Sequence, residues 1–193
     1  MAYKFNALNV LVVESSHAMF ELTKSVLNTF GIDNVSFAYD VESGFREYCR
    51  QIPDLVVMDW LDDEETGLLL AERIRQDQQS PNPFVPIIMM TGFSQKKRVI
   101  AARDSGITEF VVKPYTAATL YSRIERIIEQ PRQFVKSPDF FGPDRRRQTG
   151  NFSGPDKRRN REEQVKSHSI AARVAKDLLH KNETDGEFND KEE

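Results

Sequence analysis

The 193-residue chain has a single cysteine, Cys49, which excludes an internal disulfide framework and any cysteine-rich zinc site. Its three histidines, His17, His168 and His180, are scattered and lack the spacing of a metal-binding pair. No apolar run approaches the ~20 residues of a membrane span, and the opening MAYKFNALNVLVVESS has neither a long apolar stretch nor a cleavage site. The sequence thus predicts a soluble, cytoplasmic protein. Neither sign of charge dominates: 27 Lys and Arg stand against 30 Asp and Glu, for a net charge of -3. Nothing global therefore points to nucleic acid or a membrane surface. The length suits one ordinary domain with an extension and is thin for two full cores.

Five short apolar, β-branched runs are present, at 9–13, 34–39, 54–59, 86–91 and 109–113. Each reads as a strand. Four are nearly uniformly apolar, as strands buried on both faces of a parallel sheet must be. Segments of helical period separate them. In SHAMFELTKSVLNTFG the spacing puts Met19, Leu22, Val26, Leu27 and Phe30 on one stripe, with Gly31 as the stop. Five alternations of strand and helix with right-handed crossovers predict an open, doubly wound α/β domain with a five-stranded parallel sheet over residues 1–130.

In such sheets ligands bind beyond the carboxyl ends of the strands, where strand order switches. Glu14 and Ser15 follow the first run, Asp59 ends the third, Thr91 the fourth and Lys113 the fifth. These polar ends of apolar runs converge on one edge. A carboxylate such as Asp59 can attack phosphorus if a metal, an ammonium and hydroxyl donors offset the incoming charge. Glu14 supplies the hard oxygen that Mg²⁺ prefers, and Thr91 and Lys113 supply donors to phosphoryl oxygens.

The ordered set VLVVES, DLVVMDWLDDEETG, PIIMMTG and GITEFVVKPY, across roughly residues 8–130, resembles the receiver domain of two-component response regulators, especially the chemotaxis type. The resemblance implies a flavodoxin-like fold with Asp59 as phosphoacceptor, Thr91 as switch hydroxyl, Lys113 as the site lysine and Phe110 as aromatic switch. It further implies Mg²⁺ held by Glu14, Asp59 and the backbone carbonyl of Leu61, and a cis Lys113–Pro114 peptide. A histidine kinase or phosphotransfer protein would be the phosphodonor.

The chain departs from the family pattern at Ser15, which stands where the second acidic residue after the first strand belongs. A hydroxyl is the poorer Mg²⁺ ligand, so weakened metal binding is expected. Asp62 and Asp63 are neighbours that can compensate, although DDEE also reads as a solvated acidic loop. Trp60 reads as a surface aromatic, Gly67 as a local backbone device and Cys49 as a structural thiol.

Residues 131–161 read as a Pro/Gly/Arg-rich linker without a core-building apolar period. It carries a repeat: GPDRRR at 142–147 returns as GPDKRR at 154–159, with Phe140 and Phe152 ahead of each copy at the same twelve-residue offset. Seven basic residues and one acid, Asp156, lie between Arg145 and Arg161. Residues 162–182 read as an amphipathic helix with Val165, Ile170, Val174, Leu178 and Leu179 on its stripe, and 183–193 as an acidic, disordered end. No winged helix, helix-turn-helix or cyclase pattern follows residue 130. The expectation is a stand-alone response regulator, not an enzyme, signalling through protein contacts. Two other readings stay open: a pseudo-receiver that signals without phosphate, and a nucleic-acid-binding adaptor working through the arginine repeats.

Overall fold

The structure, a computed structural model, describes residues 5–61, 66–92, 96–137, 140–144 and 163–165. Five strands form where the apolar runs lie: β1 (Asn9–Val13), β2 (Asn34–Ala38), β3 (Leu55–Asp59), β4 (Ile87–Thr91) and β5 (Glu109–Val112). Five helices alternate with them: α1 (His17–Thr29), α2 (Val41–Gln51), α3 (Thr66–Gln76), α4 (Lys96–Asp104) and α5 (Ala117–Glu129). All four pairings in the sheet are parallel, in the order β2-β1-β3-β4-β5. The chain thus steps from β1 to one side and then crosses to the other. The switch point lies between β1 and β3.

Strand alternation divides the core in two. Val10, Val12, Leu55, Val57, Ile88, Met90 and Val111 point to one face and pack with Phe20 and Leu27 of α1 and Leu120, Ile124, Ile127 and Ile128 of α5. Leu11, Val13, Val56, Met58, Ile87 and Met89 point to the other face and meet α2, Leu70, Ala71 and Ile74 of α3, and Ala102 of α4. Both faces are dry, which explains runs without polar alternation.

Helix termini are set by side chains. Ser16 caps α1 by accepting from the Met19 amide, and Thr116 caps α5 by accepting from the Thr119 amide. At α2 a reciprocal box forms. The Ser43 amide donates to Asp40 Oδ1 at 2.7 Å, and the Asp40 amide donates to Ser43 Oγ at 3.2 Å. The stripe of α1 is rotated from the expected one: Phe20, Thr23 and Leu27 are buried while Leu22 is 53% exposed. Thr23 reaches inward because its hydroxyl pairs with the Tyr115 hydroxyl at 2.9 Å.

The tail differs most from its sequence reading. Where a linker was expected, β6 (Phe134–Ser137) and β7 (Phe140–Pro143) form an antiparallel hairpin. Where the helix of 162–182 was expected to begin, β8 (Glu163–Val165) pairs antiparallel with β6. Residues 166–182 of that helix, the second repeat copy and the acidic end lie outside the described residues. The physical reason is that residues 134–143 pack on the loop before β4 of the receiver. Phe134 and Val135 are each only 4% exposed, and the rings of Phe134 and Phe141 meet Phe84 in the loop before β4 at 5.1 and 5.3 Å. With Phe134, Val135, Phe140 and Phe141 in two adjacent pairs, a periodicity search over the segment finds nothing.

Candidate functional site

Register places the candidate residues. Val13 stands opposite Met58 across the β1–β3 pair, so the next residues, Glu14 and Asp59, lie abreast at the switch point. Asp59 is in turn opposite Met90 of β4, and Thr91 extends one residue further. Thr91 pairs with Val112, and the Lys113 amide donates to the Thr91 carbonyl at 2.8 Å. Glu14, Asp59, Thr91 and Lys113 therefore occupy four consecutive strand ends, because parallel pairing without a bulge keeps those ends level.

The side chains of three of them converge. Lys113 Nζ donates to Glu14 Oε2 and to Asp59 Oδ2, each at 3.0 Å. The Glu14 side chain is 2% exposed and that of Asp59 22%, so one carboxylate is sealed and the other opens to solvent. Burial works to lower the pKa of Lys113, but the hydrogen bonds and charges of Asp59 and Glu14 outweigh it and hold the ammonium above its ordinary range. It is charged at neutral pH. The other oxygen of Glu14, Oε1, accepts from the Ser16 amide at 3.1 Å. Sequence reasoning missed Ser16, whose capping hydroxyl sits just before the first helical-period residue and was a legible signal.

The backbone beyond Asp59 is tightly shaped. Leu61 adopts φ 55° and is 4% exposed, and the Gly67 amide donates to the Trp60 carbonyl at 3.1 Å. A Cβ on Gly67 would stand 2.8 Å from the Trp60 carbonyl oxygen and 3.0 Å from that of Asp59. Only glycine lets α3 begin that close to the end of β3. Trp60 itself is 5% exposed and belongs to the core, not the surface, because it joins the buried cluster of Leu61 and Leu68. Thr91 is 1% exposed. Phe110 is half-buried against the core face shared with α4, and the Lys113–Pro114 peptide is cis. Ser15 is exposed beside Glu14, and Asp62 and Asp63 lie outside the described residues. Cys49 is half-buried, and burial raises its thiol pKa, in keeping with a structural role.

Comparison with known proteins gives the family. The family model "Response regulator receiver domain" matches residues 10–125. The chain belongs to the response regulator receiver family. Chemotaxis protein CheY-3 of Vibrio cholerae serotype O1 is 28% identical to it over 123 residues, which are 64% of this chain and 93% of CheY-3. Chemotaxis protein CheY of Pseudomonas aeruginosa is 28% identical over 123 residues, 64% of this chain and 98% of that protein. In fold, the chain is similar to Vibrio cholerae CheY4, with a TM-score of 0.56 and 23% identity over 62% of this chain and 98% of that one. It is also similar to a putative response regulator from Chloroflexus aurantiacus, with a TM-score of 0.57 and 24% identity over 64% and 98%. The receiver is thus of the chemotaxis type and a component of two-component signalling, and its fold is the flavodoxin-like one. Among the described residues no helix is long and apolar enough to cross a membrane.

Receivers of this family generally hold Mg²⁺ at the acidic site. Among the described residues no group of three or more His, Cys, Asp or Glu side chains could hold a metal ion; two carboxylates, Glu14 and Asp59, converge at the site, and the Lys113 ammonium engages both at 3.0 Å. Mg²⁺ commonly takes one or two carboxylates and fills its remaining positions with water.

Proposed function

We propose that the chain is a response regulator phosphorylated on Asp59 by a histidine kinase or a histidine phosphotransfer protein, and that it passes the signal on through protein contacts. The observation that carries this reading is the convergence of Asp59 and Glu14 on the Lys113 ammonium at the switch point of the sheet. Asp59 is the carboxylate of the pair that solvent reaches. Its oxygen forms a bond to phosphorus as the phosphorus–nitrogen bond of a donor phosphohistidine breaks, and the imidazole leaves with that electron pair. Glu14, Asp59 and the Leu61 carbonyl would hold Mg²⁺, which when bound supplies positive charge opposite the developing phosphoryl charge. Lys113 supplies a second positive charge from within the protein. It is already desolvated, so little reorganisation is needed.

Thr91 is the switch hydroxyl in this reading, since it ends the strand between Asp59 and Lys113. Phe110 is the aromatic switch in this reading: it sits in β5 opposite Met89 and packs, half-buried, against the core face that also holds Ala102 of α4. Incubation with Mg²⁺ and a small phosphodonor, read by intact mass, tests the assignment. One phosphoryl group should add to the wild type and none to Asp59→Asn. Equal labelling of the two proteins would overturn it.

A further inference from the structure

The twelve-residue repeat in the tail has no part in the phosphoacceptor site, yet its first copy is seated. Phe140–Pro143 is β7, and Phe141, Gly142 and Pro143 sit against the domain and β6. Phe141 packs its ring against Phe84 at 5.3 Å and Phe134 at 5.6 Å. Gly142 is buried, and a Cβ there would stand 3.0 Å from the Gly106 Cα and 2.8 Å from Phe140 Cζ, so no side chain is accommodated. Pro143 is buried opposite Phe134. The Asp144 amide donates to the Gln133 carbonyl at 2.7 Å, and Arg132 Nη1 donates to the Asp144 carbonyl at 3.4 Å.

Much of the seat comes from the receiver. Arg75, 3% exposed, donates from Nε and Nη2 to the Gly106 carbonyl and from Nη1 to the Pro83 carbonyl, and its guanidinium lies 5.1 Å over the Phe134 ring. The chain therefore has one seat for a Phe-x-Gly-Pro-Asp segment and two such segments. The second, Phe152–Asp156, keeps the phenylalanine, glycine, proline and aspartate, and differs inside the motif only by Ser153 where the first has Phe141.

We propose that the seat lined by Phe84, Gly106, Arg75 and the β6 edge is a recognition groove for both copies, and that Phe152–Asp156 of the same chain is its alternative occupant. Two terms rank the copies. The first is joined to β6 by two residues and the second by fourteen, a lengthening that lowers its occupancy roughly 20-fold. Ser153 forgoes the aromatic contacts of Phe141, which lowers it roughly another tenfold. The second copy is thus a reserve: it closes the seat when Phe140–Asp144 and the arginines that follow it are drawn away. The basic run at 145–147 can be released in this way while the β6 edge stays paired.

Hydrogen exchange on the full chain, read by mass spectrometry, decides the matter. In the wild type the amides of β7 should be protected. In Gly142→Ala that protection should fall, and amides 152–154 should gain about tenfold protection, lost again in Gly142→Ala/Gly154→Ala. The exchange-of-side-chains variant Phe141→Ser/Ser153→Phe, which leaves both glycines, should shift protection the same way. Amides 152–154 exchanging as an unfolded peptide does, in both variants, would overturn the proposal. So would protection at 152–154 that vanishes on tenfold dilution, because the occupant would then come from a second copy of the chain.

Discussion

Lys113 and Glu14, 99 residues apart in the chain, meet at 3.0 Å in an environment that leaves the Glu14 side chain 2% exposed. The pair is therefore structural as well as chemical. Lys113→Met removes the ammonium and leaves a sealed carboxylate with the Ser16 amide as its remaining donor at the described contacts. A cost of about 2 kcal/mol is expected, the scale of losing a hydrogen bond to a charged group. Glu14→Gln in the same chain should recover part of it. Urea unfolding of the two single variants and the double variant measures the coupling, and strict additivity would show that the contact contributes nothing.

The same lysine sets an alkaline limit. Its folded-state pKa is held above the ordinary 10.5 by Asp59 and Glu14, against the effect of burial. A base with a raised folded pKa binds its proton more tightly in the native state. Its contribution is then complete below its unfolded pKa and is lost as pH climbs through the folded one. Stability should hold from neutral pH to about 10 and then fall more steeply in the wild type than in Lys113→Met. Denaturation midpoints at successive pH values test this, and parallel curves would remove the assignment.

Asp59→Asn separates chemistry from stability. Lys113 keeps Glu14 as a partner, and the Asp59 side chain is 22% exposed, so the substitution should change stability by less than about 1 kcal/mol. Labelling by a small phosphodonor should nevertheless disappear. A folded Asp59→Asn protein that still gains a phosphoryl group would move the acceptor elsewhere.

Metal binding tests the position beside Glu14. Ser15→Asp adds a carboxylate next to the two that converge on Lys113, so Mg²⁺ should bind more tightly. Trp60, the chain's one tryptophan, follows Asp59 directly and is buried, which makes its fluorescence a local reporter. An unchanged titration would assign the missing ligand to another residue of the acidic loop.

What was legible in the sequence follows from how each part is stabilised. β1, β3 and β4 are buried on both faces, so their apolar runs announce them, and their first polar residues, Glu14 and Asp59, mark the site edge directly. The places of Thr91 and Lys113 at the neighbouring strand ends were legible in the same way, because parallel register carries sequence position straight into space. Trp60 was misread as a surface residue because its burial depends on contacts with Leu61 and with Leu68 of α3, which no periodicity reports. The hairpin was missed for a similar reason. Its partners, Phe84, Arg75 and Gly106, come from three separate connections or helix ends, and only the fold brings them together.

The cap of α2 offers a clean test of local sequence logic. Asp40 accepts from both the amide and the hydroxyl of Ser43, and these hydrogen bonds hold its carboxyl below the usual aspartate range. Asp40→Ala should cost about 1 kcal/mol at neutral pH. Because a depressed folded pKa favours the ionised native state, the difference between the two proteins should persist above pH 4 and shrink as pH falls through the folded pKa. Urea midpoints at pH 7 and pH 3 report it, and a difference that grows on acidification would contradict the cap.

Arg75 gives the last prediction, because it ties the tail to the receiver. Its guanidinium is buried with three donations to the carbonyls of Gly106 and Pro83, and burial works to lower its pKa. Arg75→Met keeps much of the stem volume but leaves two carbonyls without these donors and removes the cation from the Phe134 ring. The expected loss is about 3 kcal/mol, the sum of an unsatisfied buried carbonyl and a cation–π contact. It should fall unevenly. Amides of 134–137 and 140–142 should exchange faster, while labelling of Asp59, at the opposite ends of the strands, should continue. Arg132, which donates to the buried Glu109 at 3.1 Å, holds the same segment to the start of β5, so Arg132→Met should loosen the hairpin further in the double variant. If Arg75→Met instead abolished phosphorylation while the hairpin stayed protected, the guanidinium would be acting on the sheet rather than on the tail.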